Sequence, residues 1–300
     1  MRSDMIINEG FIPFHGYKTW YRVVGDPGSS TQLPLLCLHG GPGATWDYFE
    51  PLQSLTDTGL PLVFYDQLGG GNSDVPENPS IHTIALFIEE IEVIRSALGL
   101  ERVHILGHSW GGMLAMEYAL TQPAGLASLI LANTGASAPQ WIAETRRLIA
   151  ELPPEIQHVI REHETAGTTD SQEYLEAQRE FSRRHLSRRI SPQPDCIRRM
   201  SKKYGEKVYQ YMWGPSEFFV TGTLKDWDVT ARLGEIKVPT LVISGRYDEA
   251  TPLIADTLKR GIPGAEWVLF ENSGHFPQLE ETDLYLQVLA EFLKRVGAPV

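Results

Sequence analysis

The chain has 300 residues, of which 42% are hydrophobic, and its 26 basic and 38 acidic side chains give a formal charge of −12. This length suits one large α/β domain or a core with an inserted subdomain, and the acidic balance argues against a nucleic-acid partner. No apolar run approaches the roughly eighteen residues that span a bilayer, and residues 1–10 lack a secretory signal. Cys37 and Cys196 form neither a disulfide framework nor a metal-binding spacing, so we expect a soluble, cytoplasmic protein without membrane association.

Short apolar runs alternate with helical periodicity along the first part of the chain. Residues 17–24 are rich in aromatic and β-branched side chains and precede a turn, which predicts an early edge strand. Residues 33–38, 61–65 and 127–133 are apolar runs typical of strands covered on both faces. Between the second and third of these runs, apolar side chains at helical spacing from residue 84 to residue 98 predict a helix.

The alternation stops for about a hundred residues, which read as helical, charged and tyrosine-rich, and then resumes with apolar runs at 239–244 and 267–270. Repeated strand–helix alternation predicts a mostly parallel sheet whose ligands bind at the carboxyl ends of the strands. We therefore expect an α/β core formed by residues 1–133 and 235–300, with an inserted helical cap at residues 134–234.

A G-x-S-x-G pattern, Gly107-His-Ser109-Trp-Gly111, lies between an apolar strand and a predicted helix. Strand, sharp turn and helix form the context in which this pattern presents a nucleophile. The turn requires a strained backbone at Ser109, and the glycines on either side remove Cβ atoms that would collide there. Ser109 is therefore the candidate nucleophile at the carboxyl edge of the sheet.

A serine nucleophile needs a neighbouring base, and the base needs a partner that fixes its tautomer. Among nine histidines, His275 fits best because it follows the last predicted strand directly. Asp248 lies just beyond the preceding strand, and the chain order Ser109, Asp248, His275 is the order that α/β hydrolases use. We expect His39 and His108, which flank motif glycines, to support loops rather than transfer protons.

The developing oxyanion needs amide donors already aimed at it. The amide that follows the nucleophile, that of Trp110, is one candidate. The loop at residues 40–43, Gly-Gly-Pro-Gly, supplies the other, because residues without Cβ let an N–H group approach the substrate closely. Gly41 is the favoured donor in this loop, although a plain tight turn would have the same composition.

Three motifs together resemble the proline iminopeptidase family of α/β hydrolases, which includes tricorn-interacting aminopeptidases and L-amino-acid amide hydrolases. They are His-Gly-Gly-Pro-Gly at 39–43, Asp-Gln-Leu-Gly-Gly-Gly-Asn-Ser at 66–73, and the Ser109 motif. The resemblance runs along nearly the whole chain and implies the α/β-hydrolase fold. Leu68 stands where many members carry arginine, which favours the broader aminopeptidase and amidase branch.

The resemblance also implies how a substrate is held. Two acidic side chains should bind the free ammonium of the substrate: Glu249, beside Asp248, and Glu217 in the predicted cap. The implied activity is release of an unblocked N-terminal residue, proline or another small or apolar residue, from short peptides. No metal or cofactor is implied, and the oligomeric state stays open, a monomer included.

Other functions share this fold and stay open at this stage. One alternative is an amino-acid amide hydrolase acting on substrates such as prolinamide, and a second is a general carboxylesterase, which has no use for an ammonium site. A third is a catalytically silent binding protein, whose usual mark is a broken triad. Epoxide and haloalkane hydrolases would carry a carboxylate where Ser109 stands.

The predicted cap contains a group of aromatic residues and a group of arginines, and each group has both a functional and a purely structural interpretation. An aromatic group could line a substrate pocket but is more typical of a cap core: Tyr204, Tyr209, Tyr211, Trp213, Phe218 and Phe219. An arginine group could attract acidic peptides but is more typical of a solvated helix face: Arg183, Arg184, Arg188, Arg189, Arg198 and Arg199.

Overall fold

The computed structural model describes residues 6–190 and 192–297. The strands are β1 (Ile7–Phe14), β2 (Tyr17–Val24), β3 (Leu35–Leu38), β4 (Leu62–Tyr65), β5 (Val103–His108), β6 (Leu126–Ala132), β7 (Thr240–Gly245) and β8 (Glu266–Phe270). They form one sheet in the order β1-β2-β4-β3-β5-β6-β7-β8. The pairs β1–β2 and β2–β4 are antiparallel, and every other neighbouring pair is parallel. The prediction of a mostly parallel α/β sheet is confirmed.

The predicted edge position of β2 is wrong, because β1 pairs with it along its whole length. The two strands form a hairpin whose loop, His15 and Gly16, has φ angles of 50° and 81°. Two residues with positive φ are what a tight hairpin turn requires. In β1 the exposed side chains interrupt the apolar run, and Pro13 lies near its end, so the strand lacks the pattern that revealed β2.

The central strands are buried on both faces. In β3 the Leu36 side chain packs with the helices of one face, and Cys37 packs into the cluster on the other. Every residue of β3, β4, β5 and β7 is buried, as their continuous apolar runs predict. This rigid centre fixes the strand ends from which the candidate site is built.

The helices are α1 (Ile84–Ala97), α2 (Trp110–Leu120), α3 (Ala138–Ile149), α4 (Pro154–Ala166), α5 (Gln172–His185), α6 (Asp195–Lys202), α7 (Glu206–Met212), α8 (Pro252–Gly261), α9 (Pro277–Glu280) and α10 (Thr282–Val296). Helix α1 begins after Thr83, whose hydroxyl accepts a hydrogen bond from the Leu86 amide. Within the described ranges, no helix is long and apolar enough to cross a membrane.

Helices α3 to α7 all lie in the chain between β6 and β7. Part of this segment has an apolar cluster of its own, which includes Leu148, Ile160, Tyr174, Phe181 and Phe218. The segment also meets the sheet edge, because the His275 amide donates to the Leu186 carbonyl at 3.0 Å. These helices therefore lie directly against the loops that follow the last strands.

Candidate active site

The turn between β5 and α2 holds Ser109 in a strained conformation, with φ 56° and ψ −125°. A Cβ atom at Gly107 would lie 2.2 Å from the Gly111 carbonyl oxygen, and one at Gly111 would lie 2.1 Å from the Leu38 carbonyl oxygen. Both distances are far below van der Waals contact, so the turn closes only with glycine at both positions. The predicted strain and the predicted reason for the glycines are confirmed.

Gly111→Ala should destabilise the fold by about 1–3 kcal/mol, since the added methyl group overpacks the contact between α2 and β3. Gly234→Ala is the matched control, because beyond its chain neighbours and its own helical turn no described atom lies within 4 Å of the position that its Cβ would take. Urea unfolding of both variants measures the difference. Equal free energies of unfolding for the two would contradict the packing account.

Asp248 and His275 meet at the carboxyl edge of the sheet. The His275 Nδ1 atom lies 2.7 Å from Asp248 Oδ1, and both side chains are almost completely buried. The Ala250 amide donates to the same carboxylate oxygen at 3.0 Å. This carboxylate therefore holds the imidazole with Nδ1 as the protonated nitrogen, which leaves Nε2 free to accept a proton.

Asn133 is a residue of this site that the sequence-based interpretation missed. It ends the run of β6 with φ 52°, and its side-chain amide donates to Asp248 Oδ2 at 2.7 Å. The same amide reaches the Gly274 carbonyl at 3.3 Å. Its position at the carboxyl end of a buried strand was the available signal, because polar residues there face the ligand side of the sheet.

A cavity of about 460 Å³ opens beside these groups and is lined by Ser109, His275, Gly41 and Glu217. Within the described residues, the Ser109 hydroxyl makes no hydrogen bond to His275. Nucleophile–base hydrogen bonds are often long without substrate and tighten in the complex, so this geometry is compatible with a Ser–His pair. The segment from α5 to α6 covers the cavity with Leu186, Ile190, Ile197 and Met200, among others.

The Gly41 and Trp110 amides, predicted as oxyanion donors, are free of hydrogen bonds within the described residues, whereas the neighbouring Gly40 amide is not. The Gly40 amide is already occupied, because it donates to the Tyr48 hydroxyl at 2.6 Å. Neither the Gly41 nor the Trp110 amide donates to any acceptor within the described residues. Trp110 is the first residue of α2, where the N–H groups have no intrahelical partner and the helix dipole favours negative charge.

Glu249 and Glu217 lie close to the histidine. Glu249 is fully buried, neither of its carboxylate oxygens has a hydrogen-bond partner in the described structure, and Oε1 lies 4.0 Å from His275 Nε2. Burial raises the pKa of Glu249 well above its usual range, and the charges of Glu217 and Asp248 raise it further. Such a carboxylate is costly unless a cation pairs with it.

Glu217 is half-buried, lies in the segment between α7 and β7, and lines the cavity. Burial raises the pKa of Glu217, although His275 and the Tyr209 hydroxyl oppose the shift. The Trp141 indole donates to the Glu217 carbonyl at 3.2 Å and lies edge-on to the His275 ring at 6.2 Å. Trp141 is a second residue that sequence reasoning missed, because nothing local in α3 marks it.

Burial lowers the pKa of His275, but the carboxylates of Asp248 and Glu217 outweigh this effect and hold it above its usual value. A base must be neutral to accept a proton, so activity should fall as the pH drops through this raised pKa. Glu217→Gln removes one of the negative charges, and the acid limb of kcat/KM should therefore move to lower pH. Rates on p-nitrophenyl acetate measure this limb without a titrating substrate amine. A limb that stays in place or moves to higher pH would contradict the assignment.

His39 and His108 are buried in the loops around the site. Burial lowers the pKa of His39 to about 4 and that of His108 well below its usual range, so both rings are neutral. His108 Nε2 lies 2.8 Å from the His275 carbonyl, and its Nδ1 lies 3.2 Å from the Tyr48 hydroxyl. These contacts agree with the expected supporting role of both histidines.

The aromatic and arginine groups of α5 to α7 divide between packing and the cavity. Tyr204 lines the cavity, whereas Trp213 packs edge-on against Trp141 at 5.6 Å. Among the arginines, Arg199 pairs with the buried Asp47 at 2.9 Å. In the part of the chain that the structure describes, no group of three or more His, Cys, Asp or Glu side chains is placed to hold a metal ion.

Comparison with known proteins agrees with this geometry. A family model described as the α/β-hydrolase fold matches residues 34–282. Together with the sheet and the strained serine turn, this match defines the class of the protein as an α/β hydrolase. A proline iminopeptidase of Clostridium botulinum is 43% identical over 293 residues, which cover 97% of this chain and 99% of that protein. The chain belongs to the proline iminopeptidase family.

Two solved structures show the same likeness. The crystal structure of a protein named VinJ has a TM-score of 0.93 and 41% sequence identity, covering 96% of this chain and 99% of that one. The crystal structure of a proline iminopeptidase of Mycobacterium smegmatis has a TM-score of 0.87 and 38% identity, covering 97% and 99%.

Proposed function

We propose that this protein is a serine aminopeptidase that releases an unblocked N-terminal residue, proline or another small or apolar residue, from short peptides. The observation that carries the proposal is the fully buried, unpartnered carboxylate of Glu249, 4.0 Å from His275 Nε2. A substrate ammonium supplies the missing cation. The proposed compartment is the cytoplasm, since both cysteines are free thiols.

In the proposed mechanism the Ser109 oxygen attacks the carbonyl carbon of the first residue while His275 Nε2 takes its proton. Asp248, 2.7 Å from Nδ1, orients the imidazole and stabilises its charged form. The amides of Gly41 and Trp110 donate to the oxyanion. The C–N bond then breaks, and His275 gives its proton to the leaving amine.

The second half of the reaction resolves the acyl-enzyme. A water molecule attacks the Ser109 ester while His275 takes one of the water protons. When the C–O bond to Ser109 breaks, the proton returns to the serine oxygen and the N-terminal amino acid is free to leave. The same base thus serves both steps, and no other proton carrier is required.

The proposed ammonium site selects a free amino terminus. An amino terminus with a pKa of about 8 is largely charged near neutral pH, and inside a covered cavity that charge must be paired. Burial raises the pKa of both Glu249 and Glu217, and the charge of Glu217 raises the pKa of Glu249 further. A bound ammonium relieves both effects, so binding energy is directed to the residue next to the scissile bond.

We further propose that residues 134–234 act as a cap on a core of residues 1–133 and 235–300. The cavity has one wall from the core, with Gly40 and Ser109, and another from the proposed cap, with Leu186 and Glu217. We expect a cavity of about 460 Å³ with walls from both parts to favour a short chain end over an internal segment of a long polypeptide. Short peptides and amino-acid amides are therefore the proposed substrates.

The test compares kcat/KM on prolyl, alanyl and leucyl p-nitroanilides with that on prolinamide. Cleavage of the free-amine arylamides, with the prolyl or another small residue preferred, supports the proposal. Prolinamide far ahead of every arylamide and peptide would replace it with an amino-acid amide hydrolase. Efficient internal cleavage of a denatured protein would refute both the exopeptidase and the cap.

A further inference from the structure

Gln67 lies in the loop after β4, is 1% exposed, and connects two separate parts of the site. Its backbone N–H donates to His39 Nε2 at 2.8 Å, and its side-chain amide donates to the His39 carbonyl at 2.8 Å. Its side-chain oxygen accepts a hydrogen bond from the Trp110 indole, also at 2.8 Å. One buried carboxamide therefore bonds both to the loop that contains Gly41 and to the residue that follows the nucleophile.

Two hydrogen bonds to His39 contribute to how the Gly41 amide points, one from the Gln67 side chain to the His39 carbonyl and one from the Gln67 backbone N–H to the ring. The Ala44 amide, which donates to the Gly40 carbonyl at 3.3 Å, contributes as well. Since His39 Nε2 accepts the Gln67 proton, Nδ1 carries the ring hydrogen and donates to the Gly40 carbonyl at 2.9 Å. That carbonyl belongs to the same planar peptide unit as the Gly41 N–H, and in a trans peptide the two point in opposite directions. Holding the Gly40 oxygen away from the cavity thus aims the Gly41 hydrogen in the opposite direction.

The hydrogen bond between the Trp110 indole and the Gln67 side chain affects the second predicted oxyanion donor, which is the Trp110 backbone amide. The Trp110 indole is 1% exposed, so its position is fixed by packing and by this one hydrogen bond. Its backbone amide begins α2 and makes no hydrogen bond within the described ranges. Fixing the side chain limits how far the first turn of α2 can rotate, and with it the direction of the amide.

The loop that carries Gln67 is itself anchored on both sides. Asp66 accepts hydrogen bonds from the Trp46 and Asn72 amides, each at 2.8 Å. The Leu68 amide donates to the fully buried Glu90 at 3.0 Å. Gln67 is therefore held from both neighbours, as precise alignment of donors requires.

We propose that Gln67 is a positioning residue that aligns both oxyanion donors, Gly41 through His39 and Trp110 through its indole. This inference rests on the proposed serine mechanism, but it does not depend on which substrate amine is recognised. A carboxamide suits the role because it donates and accepts at once. A glutamate at this position accepts from Trp110 but has no proton for the His39 carbonyl at neutral pH.

The test is Gln67→Met, which keeps the length of the side chain and removes its hydrogen bonds to the His39 carbonyl and the Trp110 indole. The backbone N–H bond to His39 Nε2 remains, so the variant measures the contribution of the carboxamide alone. Misaligned donors stabilise the transition state less while ground-state binding is unchanged, so kcat should fall about 10- to 100-fold with KM within about twofold. The loss should be similar on prolyl p-nitroanilide and on p-nitrophenyl acetate. Gln278→Met is the matched control: Gln278 is also fully buried, and its amide has no partner among the described residues, so kcat should stay unchanged.

Trp110→Phe removes the indole donor but keeps the backbone amide, and it tests the same chain of contacts if Gln67→Met does not fold. It should also lower kcat at constant KM, and the double variant should lose less than the product of the single losses. An unchanged kcat in both folded single variants, a change confined to KM, or an equal loss in Gln278→Met would overturn the proposal. Ester hydrolysis that falls in Gln67→Met, in a protein that cleaves no arylamide, would refute the aminopeptidase and keep the positioning role.

Discussion

Ser109→Ala is expected to lower kcat by about 10⁶-fold on peptide and ester substrates, since in the proposed mechanism the hydroxyl forms the covalent bond. The free energy of unfolding should change by less than about 1 kcal/mol, because the hydroxyl makes no hydrogen bond within the described residues and the methyl group fits the same space. Steady-state rates and urea unfolding measure the two quantities. Ser128→Ala is the control: Ser128 is a buried serine that bonds to His104 instead of lining the cavity, and its kcat should be unchanged.

The partner variant tests whether the serine and histidine act as one unit. His275→Ala should cost a similar factor in kcat, and the double variant should lose little more than either single variant. Additive losses would mean that another group takes the Ser109 proton. Persistent activity in Ser109→Ala would refute covalent catalysis at this turn.

Glu249→Gln and Glu217→Gln have the second largest expected effect. Removing one partner of a desolvated ion pair costs about 2–5 kcal/mol, so kcat/KM on free-amine arylamides should fall by tens- to thousands-fold. Glu249 should give the larger loss because it is completely buried and has no alternative partner in the described structure. The measurement is kcat/KM on prolyl p-nitroanilide.

The neutral ester p-nitrophenyl acetate separates amine recognition from chemistry. Above the acid limb, both glutamine variants should keep most of their activity on it, because the serine, histidine and amide donors remain. Glu117→Gln is the matched control, since Glu117 accepts a hydrogen bond from the Trp227 indole, and its oxygen remains in glutamine. Parallel losses on ester and arylamide in the two site variants would place the glutamates in the catalytic step instead of in amine binding.

The order of the main elements and the candidate triad followed from local patterns. Continuous apolar runs predicted strands that are buried on both faces, and Ser109, Asp248 and His275 were each marked by lying just after such a run. Strand β1 was not predicted because its exposed side chains interrupt the apolar run that marks the other strands. The turn at His15 and Gly16 was the remaining signal.

Residues whose function depends on distant contacts could not be found from sequence patterns. Asn133 reaches Asp248 across 115 positions, and Gln67 reaches Trp110 across 43. Neither pair has a local spacing that links its members. Glu217 and Glu249 were predicted from the family resemblance alone. For Glu249 the fold adds a physical reason, which is burial beside a histidine without a balancing cation.

The fold also explains how one edge of a sheet serves both chemistry and selection. The strands β5, β7 and β8 end in the segments that carry Ser109, Asp248 and His275. The His275 loop is in turn bonded to the helical segment, through its amide and the Leu186 carbonyl. In the proposed function, this segment reaches the substrate at its first residue, where an amino terminus must be recognised.

The most direct test of the central claim compares wild-type kcat/KM on prolyl p-nitroanilide with that on its N-acetyl derivative. Acetylation removes the cation and leaves the buried Glu249 without a partner, while the scissile bond is unchanged. We predict cleavage of the free amine and a rate at least about 10³-fold lower for the acetylated compound. Equal rates on the two substrates would contradict the aminopeptidase assignment and leave a general serine amidase or esterase.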